Sequence, residues 1–266
     1  MAQPEPGPET IGEIDFPLPP AAMRFMAESD QRFLEIGDET VADLREVVAL
    51  GGRDRVLDIG CGYGRLAHAL MRDPGFEGTY LGVDILERPV QWCQEELSPR
   101  SSGRLEFRKI DVANARYNPH GATPGHLADL EIEPGSFDVV ALISVFTHLD
   151  PSTAEHYLDE IARALAPRGR AFISAFLLDD SWRQRDEAGL SPIPLPHSLT
   201  PFCRYQHEHD PLAAIAYQPG WLLSSARAAG LEPVSPPRLG TWCGRPDGVG
   251  HLDVLALRHG VASAAN

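Results

Sequence analysis

From residue 55 onward the chain alternates short apolar runs with stretches in which apolar residues recur at three- and four-residue intervals. That alternation predicts βαβ units feeding a parallel sheet. Strands are expected at 55–59, 79–84, 104–110, 137–143 and 170–177, with helices at 65–72, 88–97 and 151–165. Asp150 as N-cap and Pro151 at the first helical position mark the start of the last of these. Nearer the C-terminus a helix at 220–229 precedes two strands, 231–239 and 252–258, expected to close the sheet as an antiparallel pair. Upstream, the apolar spacing around 23–33 and at 38–50 (Val41, Leu44, Val47, Val48) predicts two N-terminal helices, the second stopped by Gly51-Gly52. The fold class that follows is α/β, a doubly wound, mostly parallel sheet of seven strands with N-terminal helices.

Two segments break the alternation, 111–134 and 179–219, the latter containing SPIPLPH and CRYQHEHD. Long irregular stretches in a compact domain are usually functional. The second leaves the carboxyl end of a predicted strand, where open α/β sheets bind ligands, so a substrate lid is expected at about 179–219. Residues 1–13 are acidic, proline-rich and without apolar periodicity, the composition of a loose tail. The remainder, 14–266, reads as a single domain.

Charge narrows the partners. With Lys+Arg 23 against Asp+Glu 38 the net charge is −15, which repels polyanions and argues against a nucleic-acid partner. Cys61, Cys93, Cys203 and Cys243 have no CxxC spacing, so neither a zinc ribbon nor a disulfide framework is indicated. No run approaches the ~20 apolar residues that span a bilayer, and the N-terminus lacks the pattern of an export signal. A cytoplasmic protein without a membrane partner is expected; oligomeric state is left open.

The strongest local signal is VLDIGCGYGR, residues 56–65. A strand ending near Asp58 runs into Gly60, Gly62 and Gly64, whose missing β-carbons let the backbone turn sharply and approach a ligand, with a helix N-terminus behind them. A nicotinamide fingerprint GxGxxG fails here, because the sixth position is Arg65 and Asp58 would meet a pyrophosphate unfavourably. S-adenosylmethionine (SAM) has no phosphate and carries positive sulfonium and ammonium groups, which suit that carboxylate. The following strands deliver Asp84, whose carboxylate suits ribose hydroxyls, with Ile85 beside it for the adenine face. They also deliver Asp111, suited to the adenine amino group, and Ser144. Four strand ends thus aim polar groups at one crevice.

VLDIGCGYGR, GVDI, KIDV, FDVVALISVFTHL and LAPRGRAFIS, in that order over about 54–176, resemble the successive motifs of class I SAM-dependent methyltransferases. The resemblance implies a Rossmann-like methyltransferase fold. It further implies Asp58, Gly60, Cys61, Gly62 and Gly64 around the methionine part of SAM, Asp84 on ribose, Asp111 with Val112 at adenine, and Ser144 near the methyl donor. PLPPAAMRFMAESDQRFLEIG, YNPHG, SVFTHL, AIAY and TWCGRPDG are similar to a bacterial subgroup often encoded among glycan-building genes, which implies a small-molecule or glycan acceptor.

Methyl transfer from a sulfonium needs alignment of the nucleophile, and an oxygen nucleophile also needs a proton acceptor. His148, just after the fourth strand, is the candidate base; a histidine that caps the loop or packs under the next helix is the competing reading. On the lid, His207, His209 and Asp210 with Tyr205 nearby read either as metal ligands, joined by Asp179-Asp180, or as a polar face toward substrate or simply a solvated loop. Their spacing is not diagnostic of a metal, so the substrate reading is preferred. Trp221 is expected in the core, whereas Trp242 and Arg245, in a loop-like stretch, are candidates for the acceptor wall. The reading is O-methylation of a small polar acceptor, foremost a saccharide hydroxyl. N-methylation of a small amine and a SAM-binding regulatory protein without turnover are the alternatives.

Overall fold

The computed structural model describes residues 16–24 and 29–260. The tail expected at 1–13 lies outside them. In chain order the elements are α1 (Asp30–Val48), β1 (Arg55–Ile59), α2 (Arg65–Arg72), β2 (Thr79–Asp84), α3 (Glu87–Glu96), β3 (Leu105–Lys109), β4 (Val112–Ala113) and β5 (Thr123–Pro124). They continue with β6 (Phe137–Leu142), α4 (Pro151–Ala164), β7 (Leu165–Leu177), α5 (Asp180–Glu187), β8 (His197–Thr200), β9 (Cys203–His207), β10 (Asp210–Tyr217), α6 (Pro219–Ala228), β11 (Leu231–Pro233) and β12 (Asp253–His259).

The central strands lie in the order β3-β2-β1-β6-β7, all parallel, and β12 joins antiparallel on the far side of β7 with β11 beyond it. Successive residues of a strand face opposite sides of a sheet. Accordingly Leu57 and Ile59 of β1, with Val140 and Leu142 of β6, enter the core under α4 and α6, while Val56 and Val139 enter the core under α1, α2 and α3. Both faces are covered, which is why β1 and β6 read as near-continuous apolar runs. The chain runs outward from β1 to β2 and β3, then crosses back to β6 on the other side of β1. That reversal opens a crevice at the carboxyl ends of the strands.

Three expectations require correction. The two N-terminal helices at 23–33 and 38–50 are one helix, α1, in the described residues, preceded by a short 3-10 turn at Ala21–Met23. Gly37 does not break it; a β-carbon there would press on Ala69 and the Arg65 carbonyl, so glycine lets α1 lie close on α2. The helix ends at Val48 with Ala49 left-handed at φ 51°, short of Gly51-Gly52. The third correction concerns 179–219, which is not an irregular lid. It forms α5 and the antiparallel β8–β9–β10, and β10 continues the sheet by pairing parallel with the last two residues of β7, Phe176 and Leu177. This extension has its own apolar core of Phe176, Leu178, Trp182, Leu195, Ala216 and Trp242. Among the described residues no helix is long and apolar enough to cross a membrane.

Candidate functional site

The turn after β1 carries left-handed φ values of 82° at Gly60 and 50° at Gly62, a region that side chains disfavour. Gly60 N and Cys61 N both donate to Val83 O, at 2.8 and 3.1 Å, fastening the turn to the end of β2. The glycines serve different purposes. A β-carbon at Gly60 would collide with Val145, whereas at Gly62 nothing stands within 4 Å of the place it would occupy. Gly62 therefore leaves an open cradle at the head of α2. Its amide donates to Asp84 Oδ2 at 2.7 Å, and Leu86 N donates to Oδ1 at 2.8 Å. Burial pushes the Asp84 carboxyl up, against the lowering effect of these amides. Ile85 beside it is half-buried and packs on the main core.

Asp58 sits behind the turn at 3% exposure, and Tyr80 Oη donates to its Oδ2 at 2.7 Å. Burial pushes this carboxyl up to about 7, with Tyr80 pulling down and the Asp84 charge adding to the rise. Cys61 is buried with its thiol pushed well up by desolvation, so it is a packed small side chain, not a reactive one. After β3, Asp111 is exposed and Val112 buried in β4, with the Asp111 carbonyl accepting from Thr123 N at 3.2 Å. At the end of β6, Ser144 is exposed and left-handed at φ 59°, a strained state for a side-chain-bearing residue. Ser174 Oγ accepts from its amide at 2.7 Å and holds it there.

His148 ends a 3-10 turn, Phe146–His148, that follows Ser144. Its Nδ1 lies 2.8 Å from Leu212 O and its Nε2 3.4 Å from Tyr117 Oη. A ring nitrogen facing a carbonyl must carry the proton, which leaves the lone pair on Nε2. Burial lowers the imidazole pKa, keeping the ring neutral, although the Leu212 bond opposes the shift. The loop carrying Tyr117 is held by Asn114, whose Oδ1 accepts from Arg116 N (3.0 Å) and Tyr117 N (3.1 Å) and whose Nδ2 donates to His148 O (3.3 Å). Arg116 forms an ion pair with Asp210. A cavity of about 450 Å³ lies between residues 115–117 and 209–212.

The sequence candidates on the sheet extension divide. His209 and Asp210 border that cavity, while His207 is exposed at the end of β9. Tyr205 stacks on His197 with ring centroids 5.1 Å apart. Asp210 is taken by Arg116, and Asp179 caps α5 through Trp182 N (2.8 Å) and pairs with Arg245 (2.9 Å), so neither joins the histidines. Trp242 and Arg245 are corrections. Trp242 is 1% exposed, packs on Phe176 and donates from Nε1 to Asp253 Oδ2 at 2.6 Å. Arg245 is buried against Asp179 and Asp253 (3.2 Å). A side chain enclosed on every side has no face to offer an acceptor; the two form a structural clamp between β12, the end of β7 and α5. Trp221 is half-buried against the main core and stacks on Phe202 (4.7 Å) and Tyr217 (5.3 Å). Tyr117, Arg116 and Leu212, which meet His148 or border the cavity, were not among the sequence candidates. YNPHG alone marked the loop, and no periodicity shows that it meets the 148 turn.

A doubly wound sheet with a glycine turn after its first strand and acidic residues at successive strand ends has the build of a nucleoside-binding α/β domain. The chain belongs to a family of methyltransferase domains, whose model matches residues 24–215, more than half its length. Ubiquinone biosynthesis O-methyltransferase of Dechloromonas aromatica (strain RCB) is 29% identical over 130 residues, covering 48% of this chain and 47% of that protein. Nocamycin O-methyltransferase of Saccharothrix syringae is 34% identical over 118 residues, 43% of this chain and 35% of the relative. The chain thus matches half or less of the length of these two curated relatives. Among solved structures, 1,6-didemethyltoxoflavin-N1-methyltransferase of Burkholderia thailandensis, with bound 1,6-didemethyltoxoflavin and S-adenosylhomocysteine, superposes with a TM-score of 0.54 at 23% identity over 87% of this chain and 80% of the other. A Pyrococcus horikoshii OT3 protein gives a TM-score of 0.59 at 17% identity over 87% of this chain and 93% of its own. At those identities the likeness is one of fold.

Proposed function

We propose that this chain is a SAM-dependent methyltransferase acting on a hydroxyl of a small polar acceptor, a saccharide or related metabolite foremost. The crevice suits SAM on its own chemistry: Asp84 and Asp111 at two strand ends suit ribose hydroxyls and an adenine amino group, Gly62 leaves open space for the ligand, and backbone amides at the head of α2 suit the carboxylate of the methionine part. Asp84 would hold the ribose, Ile85, Asp111 and Val112 the adenine, and the 58–64 turn with Ser144 the methionine part. SAM would supply a methyl group already activated for displacement. The protein's share is then to orient the acceptor and take its proton.

The observation that carries the hydroxyl reading is the state of His148. A neutral imidazole with its lone pair on Nε2, just beyond the β6 strand end and behind the cavity at 115–117 and 209–212, is what an oxygen nucleophile requires and an already unprotonated amine does not. The names of the ubiquinone-biosynthesis and nocamycin relatives, both O-methyltransferases, support a hydroxyl acceptor. The test is a panel of saccharides, phenols and amines with labelled SAM, alongside calorimetry. SAM binds and NAD does not, Asp84→Ala weakens SAM by ~1.5–3 kcal/mol, and His148→Ala lowers transfer ~10²–10⁴-fold at little change in SAM affinity. Transfer confined to the amines would replace the hydroxyl reading, and tight SAM binding with no transfer to any of them would favour a binding protein.

A further inference from the structure

Both ring nitrogens of His148 have a partner within the protein. Nδ1–H is committed to Leu212 O at 2.8 Å, and the lone pair on Nε2 meets a hydroxyl of the protein itself, Tyr117 Oη, at 3.4 Å. The cavity between 115–117 and 209–212 is bordered by Tyr117 and not by His148. Tyr117 therefore borders the cavity and also meets His148 Nε2. The rings meet edge to face, centroids 5.3 Å apart at 81°, and Asn114 fixes the loop on one side by accepting from Tyr117 N and on the other by donating to His148 O. The Arg116 guanidinium lies 5.4 Å from the Tyr117 ring centroid, within cation-π distance, and helps hold the ring in place.

We propose that Tyr117 is a second catalytic residue, which contacts the acceptor hydroxyl and relays its proton to His148 Nε2. The proposal rests on the O-methyl-transfer reading. As the acceptor oxygen forms its bond to the methyl carbon, its proton moves to Tyr117 Oη and the proton of Tyr117 moves to His148 Nε2. The carbon–sulfur bond breaks with its electron pair kept by sulfur, so the positive charge lost by the sulfonium reappears on the imidazolium, which later releases its proton to water. A separation of 3.4 Å is long for such a bond, but catalytic hydrogen bonds commonly tighten only when substrate is in place.

The experiment pairs long-range ¹H–¹⁵N NMR of His148 in the full chain, with S-adenosylhomocysteine added, with kinetics on the saccharide, phenol and amine panel. Tyr117→Phe keeps the ring and removes the hydroxyl; His148→Gln identifies the His148 signals; melting curves check that both variants fold. The relay requires the Nδ1–H tautomer, an Nε2 resonance that moves to its unbonded position in Tyr117→Phe, and a kcat loss of ~10²-fold or more with KM little changed. It also requires the solvent deuterium effect to fall from that of two protons in flight to that of one. An Nε2 resonance indifferent to Tyr117→Phe, wild-type kcat in that variant, or a loss confined to KM overturns the relay while leaving O-methyl transfer standing. A wild-type protein that methylates no hydroxyl on the panel overturns the relay together with the reading beneath it, whatever the NMR shows.

Discussion

A carboxyl held at about 7 by burial, as at Asp58, couples the crevice to pH. Between its ordinary 3.8 and about 7 the folded protein keeps a proton that the unfolded chain has released, so this group's contribution is complete below about 4 and is lost as pH rises toward 7. Asp58→Asn cannot ionise yet can still accept from Tyr80. Urea unfolding at several pH values should therefore show the variant gaining on the wild type from about pH 4 to pH 7, with a level difference above. A difference that does not change with pH would mean that Asp58 is ionised throughout. At this scale the sequence was informative where chemistry is local: a glycine needed at a left-handed turn, or an acid at a strand end, announces itself by type and spacing. Asp58 announced its position but not its state, because the burial and the Tyr80 hydroxyl that set it come from another strand. Trp242 and Arg245 misled for the same reason. A tryptophan and an arginine among glycines and prolines read as exposed until Asp253 and Asp179 are brought to them.

Between elements, the packing of α1 on α2 turns on His68. The ring is buried edge-on against Phe16 and Phe33, at 6.2 and 6.0 Å between centroids, with Nε2 3.2 Å from Phe16 O and Arg72 Nε donating to Nδ1 at 3.2 Å. Burial pushes its pKa down to about 4 from 6.5. Within that window the unfolded chain binds a proton that the folded protein refuses, so stability from this site is whole above about 6.5 and declines as pH falls to about 4. His68→Gln, which keeps polar atoms near both partners without titrating, should lose less melting temperature than the wild type between pH 7 and pH 4.5. Parallel acid curves would sink the assignment. Elements covered on both faces were legible, since β1, β2, β6 and the helices between them carry unmixed periodic patterns. The strands β8 to β10 were not. Residues of β8 and β9 are mostly half-exposed or exposed, so neither a continuous apolar run nor a clean alternation marks them, and although β10 ends in the apolar run 212–217, the prolines around these strands read as loop.

Over the whole molecule the decisive feature is how the sheet divides at β7. Residues 170–175 of this strand pair with β12, residues 176–177 pair with β10, and β6 lies along its other edge. Strands β1, β2 and β6, which lead to the glycine turn, Asp84 and Ser144, are bonded along both edges, whereas Leu212, Asp210 and His209 lie on an extension joined by a two-residue ladder, by Cys203, Ile215 and Tyr217 packed in the main core, by a small apolar core of its own, and by the Tyr217 hydroxyl donating to Phe146 O and Leu149 O. Fewer backbone bonds and less buried area mean a lower free energy of local opening. Amide hydrogen exchange should show this directly: segment 203–212 exchanges at least ~10-fold faster than 56–59 and 139–142, as a unit that opens without the central sheet. Removing the Arg116–Asp210 pair by Arg116→Met should speed exchange at 207–212 further and leave 56–59 untouched, because a half-exposed ion pair fastens only the tip of the hairpin. Equal protection across all three segments would show that the extension opens only when the whole domain does. The wall of the cavity that carries Leu212 would then be as rigid as the crevice, and acceptor entry would have to come from the 115–117 loop.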